Sequence, residues 1–258
     1  PHDVNVRWKD YFGGTGQMTK ALRENEIDIA VILTEGIIKD ITEGSPCKIV
    51  QVFVETPLIW GIHVAEKSAF KHLSDLKGRQ AAISRYGSGS HLMAYVNAQN
   101  LEWDTVKDLQ FEVVKDLDGA VEALTHQKAD YFMWEKFTTK PFVDQKIFRR
   151  LGDCPTPWPC FVIAVKSGLL LENASLLNQI IQIIQKEAFK LKNAPNAIEQ
   201  FAWRYALPTS QVEAWLKQTD WNYGDKLDQT SFQFVVKNLK ELKLISEEES
   251  EGWEQKLF

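Results

Sequence analysis

The segment Ala21-Leu-Arg-Glu-Asn-Glu-Ile-Asp-Ile-Ala-Val-Ile-Leu33 decides how the chain folds. Met18, Ala21 and Leu22 fall at helical spacing, which predicts a helix over 17–25. Ile27 to Leu33 is then nearly continuous apolar sequence, the pattern of a strand covered on both faces. The same order returns 102 residues later, where Ala21-Leu22 with Asp28 recurs as Ala123-Leu124 with Asp130. In each copy a glutamate stands near the end of the apolar run, Glu35 in one and Glu135 in the other. Two copies of a helix–Asp–strand unit predict two similar α/β lobes.

Outward from these copies, further strands and helices alternate. Val4-Asn-Val-Arg-Trp8 alternates apolar and polar like a strand, and Gly13-Gly-Thr-Gly16 breaks the chain before the first helix. Cys47 to Phe53 is another apolar strand. In the second lobe Gln80–Ser84 reads as a strand, Ser88–His91 as a turn running into a helix, and Leu109–Val114 as a strand. Asp118 is placed to cap a helix over 119–127, and Tyr131–Trp134 to form a short buried strand. Strands separated by helices predict doubly wound, parallel sheets. Trp158–Val165 is a last strand, and the sequence after it is almost wholly helical. Residues 176–191 are amphipathic, Ser210-Gln-Val-Glu213 spells a capping box, and Phe232–Leu242 is a further helix. The chain is expected to cross between lobes near Leu58–Ile62 and near Cys160–Ile163. Lobe 1 is then 1–61 plus 161–258, with the helical tail packed on it, and lobe 2 is 62–160.

Composition bounds the function. The 258 residues are 44% hydrophobic and 25% charged, an ordinary globular balance. The formal net charge is -5, with Lys and Arg interleaved among Asp and Glu, so the basic footprint of a nucleic-acid binder is missing. Glu247–Glu251 reads as a solvated helix start. No apolar run approaches the roughly 20 residues that span a bilayer, and a soluble protein, cytoplasmic or periplasmic and monomeric, is expected. The chain opens Pro1-His-Asp without an initiator Met and shows no signal peptide, so the natural N-terminus is expected to be missing.

The polar clusters spell no catalytic or metal motif. Cys47, Cys154 and Cys160 are expected to be thiols; a Cys154–Cys160 bridge is the alternative in an exported protein. The histidines His2, His63, His72, His91 and His126 form no paired ligand motif, so neither a metal nor a cofactor is expected. There is no G-x-S-x-G elbow, and Gly13–Gly16 fits neither the dinucleotide nor the P-loop pattern. Ser68–Lys71 and Ser74–Lys77 match S-x-x-K by chance, without the companion motifs. Asn173-Ala-Ser175 is a glycosylation sequon that matters only in a secreted eukaryotic protein. Glu35 and Glu135 could form an acid/base pair, yet nothing supplies a nucleophile beside them.

What remains is a set of polar and aromatic residues at strand ends, where open α/β sheets bind ligands. They are Gly14, Thr15 and Gly16, then Thr34 and Glu35, Ser88, Ser90 and His91, Trp134 and Glu135, and Trp158 in the stiff loop Pro155–Pro159. In Ser84-Arg-Tyr-Gly-Ser-Gly-Ser-His91, two glycines and three serines leave amides and hydroxyls free around a helix start. Each group also reads blandly: the glycines as a turn, Thr34, Ser88 and Ser90 as caps, the tryptophans as core.

Gly14-Thr-Gly-x-Met18, Ala21–Val31, Asp75-Leu-Lys-Gly78, Ser84–His91 and Ala129–Glu135 together resemble the type II periplasmic-binding-protein fold. The pattern is most similar to the sulfonate/nitrate/taurine-type solute-binding proteins and their relatives in thiamine-pyrimidine biosynthesis. Ser84–Tyr95 and Met133–Pro141 with Cys154–Cys160 resemble a subgroup found in bacteria and fungi. The similarity runs from about Val4 to Gly168, while the tail matches only in character. It implies two doubly wound lobes joined by two crossing strands, closing like a hinge over one small molecule for an ABC-type transport or sensing system. Gly14–Gly16, Thr34 and Glu35 would touch the ligand from one lobe, and Ser88, Ser90, His91, Trp134 and Glu135 from the other. The chain departs from this pattern at its start, where the usual opening strand and helix are missing. It also lacks the Cys-Cys-Cys-Phe-Cys motif of the pyrimidine synthases, although an enzyme on the same fold stays the alternative. Arg85 and the Ser88–His91 helix start suit an anion. Two carboxylates beside tryptophans instead suit a neutral or amine-bearing ring, which is the expected ligand.

Overall fold

A computed structural model describes residues 4–11, 13–224 and 229–258 of the chain. His2 and the opening Pro1-His-Asp lie outside the described residues. The chain divides into two compact units: residues up to Thr56 with Trp158–Phe258, and Pro57–Pro157. The crossings therefore fall at Thr56-Pro57 and Pro157-Trp158, a few residues before the places read from the sequence. Proline has no N–H to give a ladder, so strand pairing in each sheet stops at these steps.

In chain order the first unit opens with α1 (Thr15–Arg23), β1 (Ile29–Leu33), α2 (Thr34–Thr42) and β2 (Cys47–Val54). The second unit holds β3 (Ile59–Ala65), β4 (Gln80–Ile83), α3 (Gly89–Asn100), β5 (Gln110–Val113), α4 (Leu117–Thr125), β6 (Tyr131–Glu135), α5 (Lys136–Asp144) and β7 (Phe148–Pro155). The chain returns with β8 (Phe161–Lys166), followed by α6 (Ser167–Lys192), α7 (Ala197–Tyr205), α8 (Thr209–Gln218), α9 (Gln229–Glu241), α10 (Glu247–Ser250) and α11 (Trp253–Leu257).

Both sheets are mixed, where the alternation of strands and helices predicts parallel ones. In the first unit the order is β1-β8-β2, with β8 antiparallel to both neighbours. In the second it is β5-β4-β6-β3-β7, with β4 parallel to β5 and β6 and β3 antiparallel to β6 and β7. The strand that follows each crossing enters its sheet between two neighbours and against the direction of both, which reverses the local pairing.

The internal repeat is visible as structure. At an offset of 102 residues, α1 matches α4 (Thr15 to Leu117), β1 matches β6 (Ile29 to Tyr131) and α2 matches α5 (Thr34 to Lys136). Both helix pairs have 9 residues and both strands 5. Each unit then adds one edge strand, β2 or β7, around its central antiparallel strand. The second unit's core is built on Phe132, Phe148, Ala120, Ala123 and Leu124. In the first unit Leu177 of α6 packs on Ile163 and Val165 of β8, while α9 and α11 lie on α2, which seats the tail on this unit.

Three local expectations change and one is met. Residues 4–10 form no strand, and Val6 and Trp8 are exposed, because alternation makes a strand only where a ladder accepts it. Asp116, not Asp118, caps α4: its backbone is extended and its Oδ1 accepts the Gly119 N–H at 2.9 Å, whereas Asp118 already lies in the helix. The Ser210–Glu213 capping box does not form, since α8 starts one residue earlier at Thr209 behind Pro208. As expected, Cys47, Cys154 and Cys160 are buried thiols outside any disulfide, so the alternative bridge is not made.

Candidate functional site

In the first unit two helices start without a side-chain cap and meet. Gly14 precedes α1 at φ 64°, a left-handed conformation that suits glycine. The Thr15 methyl lies 2.3 Å from the place a Cβ on Gly36 would occupy, so the start of α2 needs glycine to let α1 approach. Thr34 anchors α2 to the returning chain: its N–H donates to the Cys160 carbonyl at 3.1 Å and its hydroxyl to that of Pro159 at 2.5 Å. The first amides of α1, on Thr15 and Gly16, donate to no group among the described residues.

Glu35 is the second residue of α2 and is only 3% exposed. Its Oε2 accepts the indole N–H of Trp158 at 2.9 Å, and Trp158 is itself buried. Its Oε1 is buried with no hydrogen-bond partner among the described residues. Burial pushes the carboxyl up to about 7, against the smaller opposing pull of its own backbone amide and of Trp158. The sequence-predicted Gly14, Thr15, Gly16, Thr34, Glu35 and Trp158 thus gather around two helix starts of one unit. Trp158 is there as the group that fixes Glu35.

In the second unit β5, β4 and β6 are parallel, so the loops that follow them share one end of the sheet. The loop after β4 consumes most of its own polar groups. Ser88 is the N-cap of α3, its hydroxyl accepting the His91 N–H at 3.4 Å. The Ser90 hydroxyl accepts the Ser84 N–H at 2.9 Å and lies 3.1 Å from that of Ser88. His91 accepts the Gly87 N–H on Nδ1 at 3.1 Å. Its ring packs against Phe111, Tyr95 and Tyr86, with centroids 4.6, 5.1 and 5.3 Å away, and burial lowers its pKa. The ring is neutral there. The amides of Gly89 and Ser90 remain without a partner among the described residues, beside the exposed Arg85 and Tyr86.

At the end of β6, Trp134 is half-buried, stacked on Phe132 at 5.3 Å and edge-on to Trp60 at 6.2 Å. Glu135 is the N-cap of α5. Its Oε1 accepts the Phe137 N–H at 2.9 Å, and its Oε2 accepts both the N–H and the hydroxyl of Thr138 at 2.7 Å. Sequence reasoning missed Trp60, which is buried with its indole N–H unpartnered and faces Glu135 in register. The signal was available, since Trp60 follows the outward crossing as Trp158 follows the return. Among the described residues no group of His, Cys, Asp and Glu could hold a metal ion, and no helix is long and apolar enough to cross a membrane.

Residues 60–154 match the family model for Ca3427-like PBP (periplasmic binding protein). Nothing among curated proteins matches. The Candida albicans CA3427 gene product, which defines a new family with the generic periplasmic binding protein fold, superposes with a TM-score of 0.86 at 25% identity, over 95% of this chain and 82% of that one. The periplasmic aliphatic sulphonate binding protein SsuA from Escherichia coli gives 0.70 at 20% identity, over 90% of this chain and 76% of that one. A ligand-binding component of an ABC-type import system from Staphylococcus aureus, with zinc bound, gives 0.71 at 16% identity, over 91% of this chain and 80% of that one. The chain has the type II periplasmic-binding-protein fold, which it shares with solved structures of sulfonate-binding proteins.

Proposed function

We propose that this chain of type II periplasmic-binding-protein fold is a small-molecule receptor that closes hinge-like over one ligand and serves an ABC-type import or sensing system. The observation that carries the proposal is the doubled half-site. Each unit offers helix-start amides without a partner among the described residues, on Thr15 and Gly16 in one and, after β4, on Gly89 and Ser90 in the other. Such amides favour polar ligand groups, since they lack intrahelical partners and sit at the positive end of the helix dipole. A ligand that engages both units would stabilise the closed state by its differential affinity for it. The crossings, at Thr56-Pro57 and Pro157-Trp158, leave only two short segments to absorb such a motion. Function then needs no bond-breaking chemistry: a monomeric receptor hands its closed form to a membrane component.

A second reading follows from Glu35. A buried carboxyl held near neutrality suits proton transfer, which favours an enzyme on the same fold. One experiment separates the two. A thermal-shift screen of sulfonates, pyrimidines, amino acids and nucleotides identifies a ligand, and small-angle scattering then compares the free and bound protein. A receptor contracts on binding and returns the ligand chemically unchanged by NMR after prolonged incubation. Conversion of the ligand would establish the enzyme, and an unchanged scattering profile would remove the hinge.

A further inference from the structure

Two carboxylates are buried among the described residues, and they are treated differently. Asp40 is ion-paired with Arg23 through Oδ1, although its Oδ2, like Glu35 Oε1, has no hydrogen-bond partner among the described residues. Glu35 has only the Trp158 indole on one oxygen, and nothing on the other. A buried acceptor left empty is costly, and native structures keep few of them without cause. Glu35 stands in the first turn of α2, whose start has no side-chain cap and meets the uncapped start of α1 through Thr15 and Gly36.

We propose that Glu35 selects the ligand, accepting an N–H or O–H donor of the bound molecule on Oε1, while Trp158 is the positioning residue that fixes the carboxyl through Oε2. The assignment rests on the reading of the chain as a small-molecule receptor and narrows the ligand to one that carries an amino, amide or hydroxyl donor. A donor-free sulfonate would meet an acceptor with nothing to offer. The choice has a pH signature. An ionised Glu35 attracts a donor, so affinity for a donor ligand rises as pH rises through about 7. Affinity for a bare anion falls over the same range, because only the protonated carboxyl can donate to it.

No charged neighbour contributes to the Glu35 shift, which is consistent with the surroundings. On the elements packed against α2, Lys20 and Arg23 of α1 pair with Glu24 and Asp40. Lys237 and Lys240 of α9 pair with Glu241 and Glu247, and Lys166 of β8 pairs with Asp28. On α11 the Lys256 ammonium donates to the Glu249 carbonyl, and Glu254 completes the charged set.

The test is calorimetric titration of the full chain with cytosine, ethanolamine and ethanesulfonate at pH values about 1.5 below and above the Glu35 midpoint. At least one of the two donor probes should bind about tenfold more tightly at the higher pH, and Glu35→Gln should remove both the gain and about tenfold of the affinity. Trp158→Phe should move the midpoint upward, which a purely structural role would not do. The indole N–H resonance of Trp158 should titrate with the same midpoint in the ligand-free protein and stop titrating in Glu35→Gln. That measurement stands even if a variant binds poorly. Three results would overturn the assignment: ethanesulfonate binding more tightly than both donor probes, a donor probe held equally well by Glu35→Gln, or neither donor probe binding at about 10 mM. Ethanesulfonate binding accompanied by contraction in scattering would leave the receptor reading intact while removing the role given to Glu35.

Discussion

Glu35 and Glu135 both follow an apolar strand and precede a helix of nine residues, yet their surroundings are opposite. Glu135 is half-buried, and both of its oxygens accept hydrogen bonds from the first turn of α5. Glu35 is buried, and one of its oxygens accepts nothing. The 102-residue offset explains the difference. It sets Glu135 against Leu33, the last residue of β1, and sets Glu35 against Phe137. A glutamate at the cap position turns its side chain back onto free amides. A glutamate two places later is already helical and must point elsewhere, here beneath the Trp158 indole. Two residues of chain therefore separate a carboxylate spent on capping from one with an oxygen left unpartnered among the described residues.

The largest expected effect comes from removing the group that holds Glu35. Trp158→Ala should cost about 3–5 kcal/mol in urea unfolding, as for a fully buried tryptophan, and Trp134→Ala clearly less, because Trp134 is half-buried. Equal losses at both positions would erase the distinction between the two half-sites.

The pH dependence of stability should have opposite sign in the two units. Below pH 4.5 Glu35 is protonated whether folded or not, and as pH rises the unfolded chain ionises first. Stability is then lost up to about pH 7, in total about 3 kcal/mol. Glu35→Gln should abolish that loss. In the second unit His63 is fully buried, its Nε2 3.0 Å from the Thr139 hydroxyl, and burial lowers its pKa to about 4. Above pH 6.5 it is neutral in both states, and as pH falls the unfolded chain takes the proton first. About 3 kcal/mol should be lost between pH 6.5 and about 4, and His63→Gln should flatten that limb. Chemical denaturation across pH 4 to 9 checks both, and a profile that Glu35→Gln leaves unchanged would contradict the burial argument.

A smaller effect tests the contact of the two uncapped helices. Gly36→Ala places a methyl against Thr15 and should cost about 1–3 kcal/mol. Thr15→Ser removes the opposing methyl and should restore most of that stability in the double variant, with the coupling read from a double-mutant cycle. Additive losses would mean that the helix starts do not press on one another. The smallest effect is Glu135→Gln, a weakened cap that should destabilise by about 1 kcal/mol. Glu35→Gln should instead stabilise the protein at pH 8. Opposite signs for the same substitution would be the most direct support for the comparison.

Much of the fold could be read from the chain. Apolar periodicity located the repeat, because a strand covered on both faces must be nearly all apolar and an amphipathic helix must repeat at 3–4 residues. Ser88 as a cap was likewise legible, since the choice of a serine before a helix is local chemistry. Strand direction was not. β3 and β8 look like any other apolar strand, and their insertion against their neighbours depends on where the chain crosses between units. For the same reason Val4–Trp8 alternates like a strand but has no ladder to join.

For the candidate site, the sequence by itself placed Thr34, Glu35, Ser88, Trp134 and Glu135 at junctions of strand and helix, because those boundaries are set largely by neighbours in the chain. Only the tertiary structure decided what each one does. It brought Trp158 across 123 residues of sequence to Glu35, spent Glu135 on capping α5, and turned the serines of the second unit on one another. The physical reason is that burial and hydrogen-bond satisfaction are properties of a packed environment, and residues distant in sequence supply it.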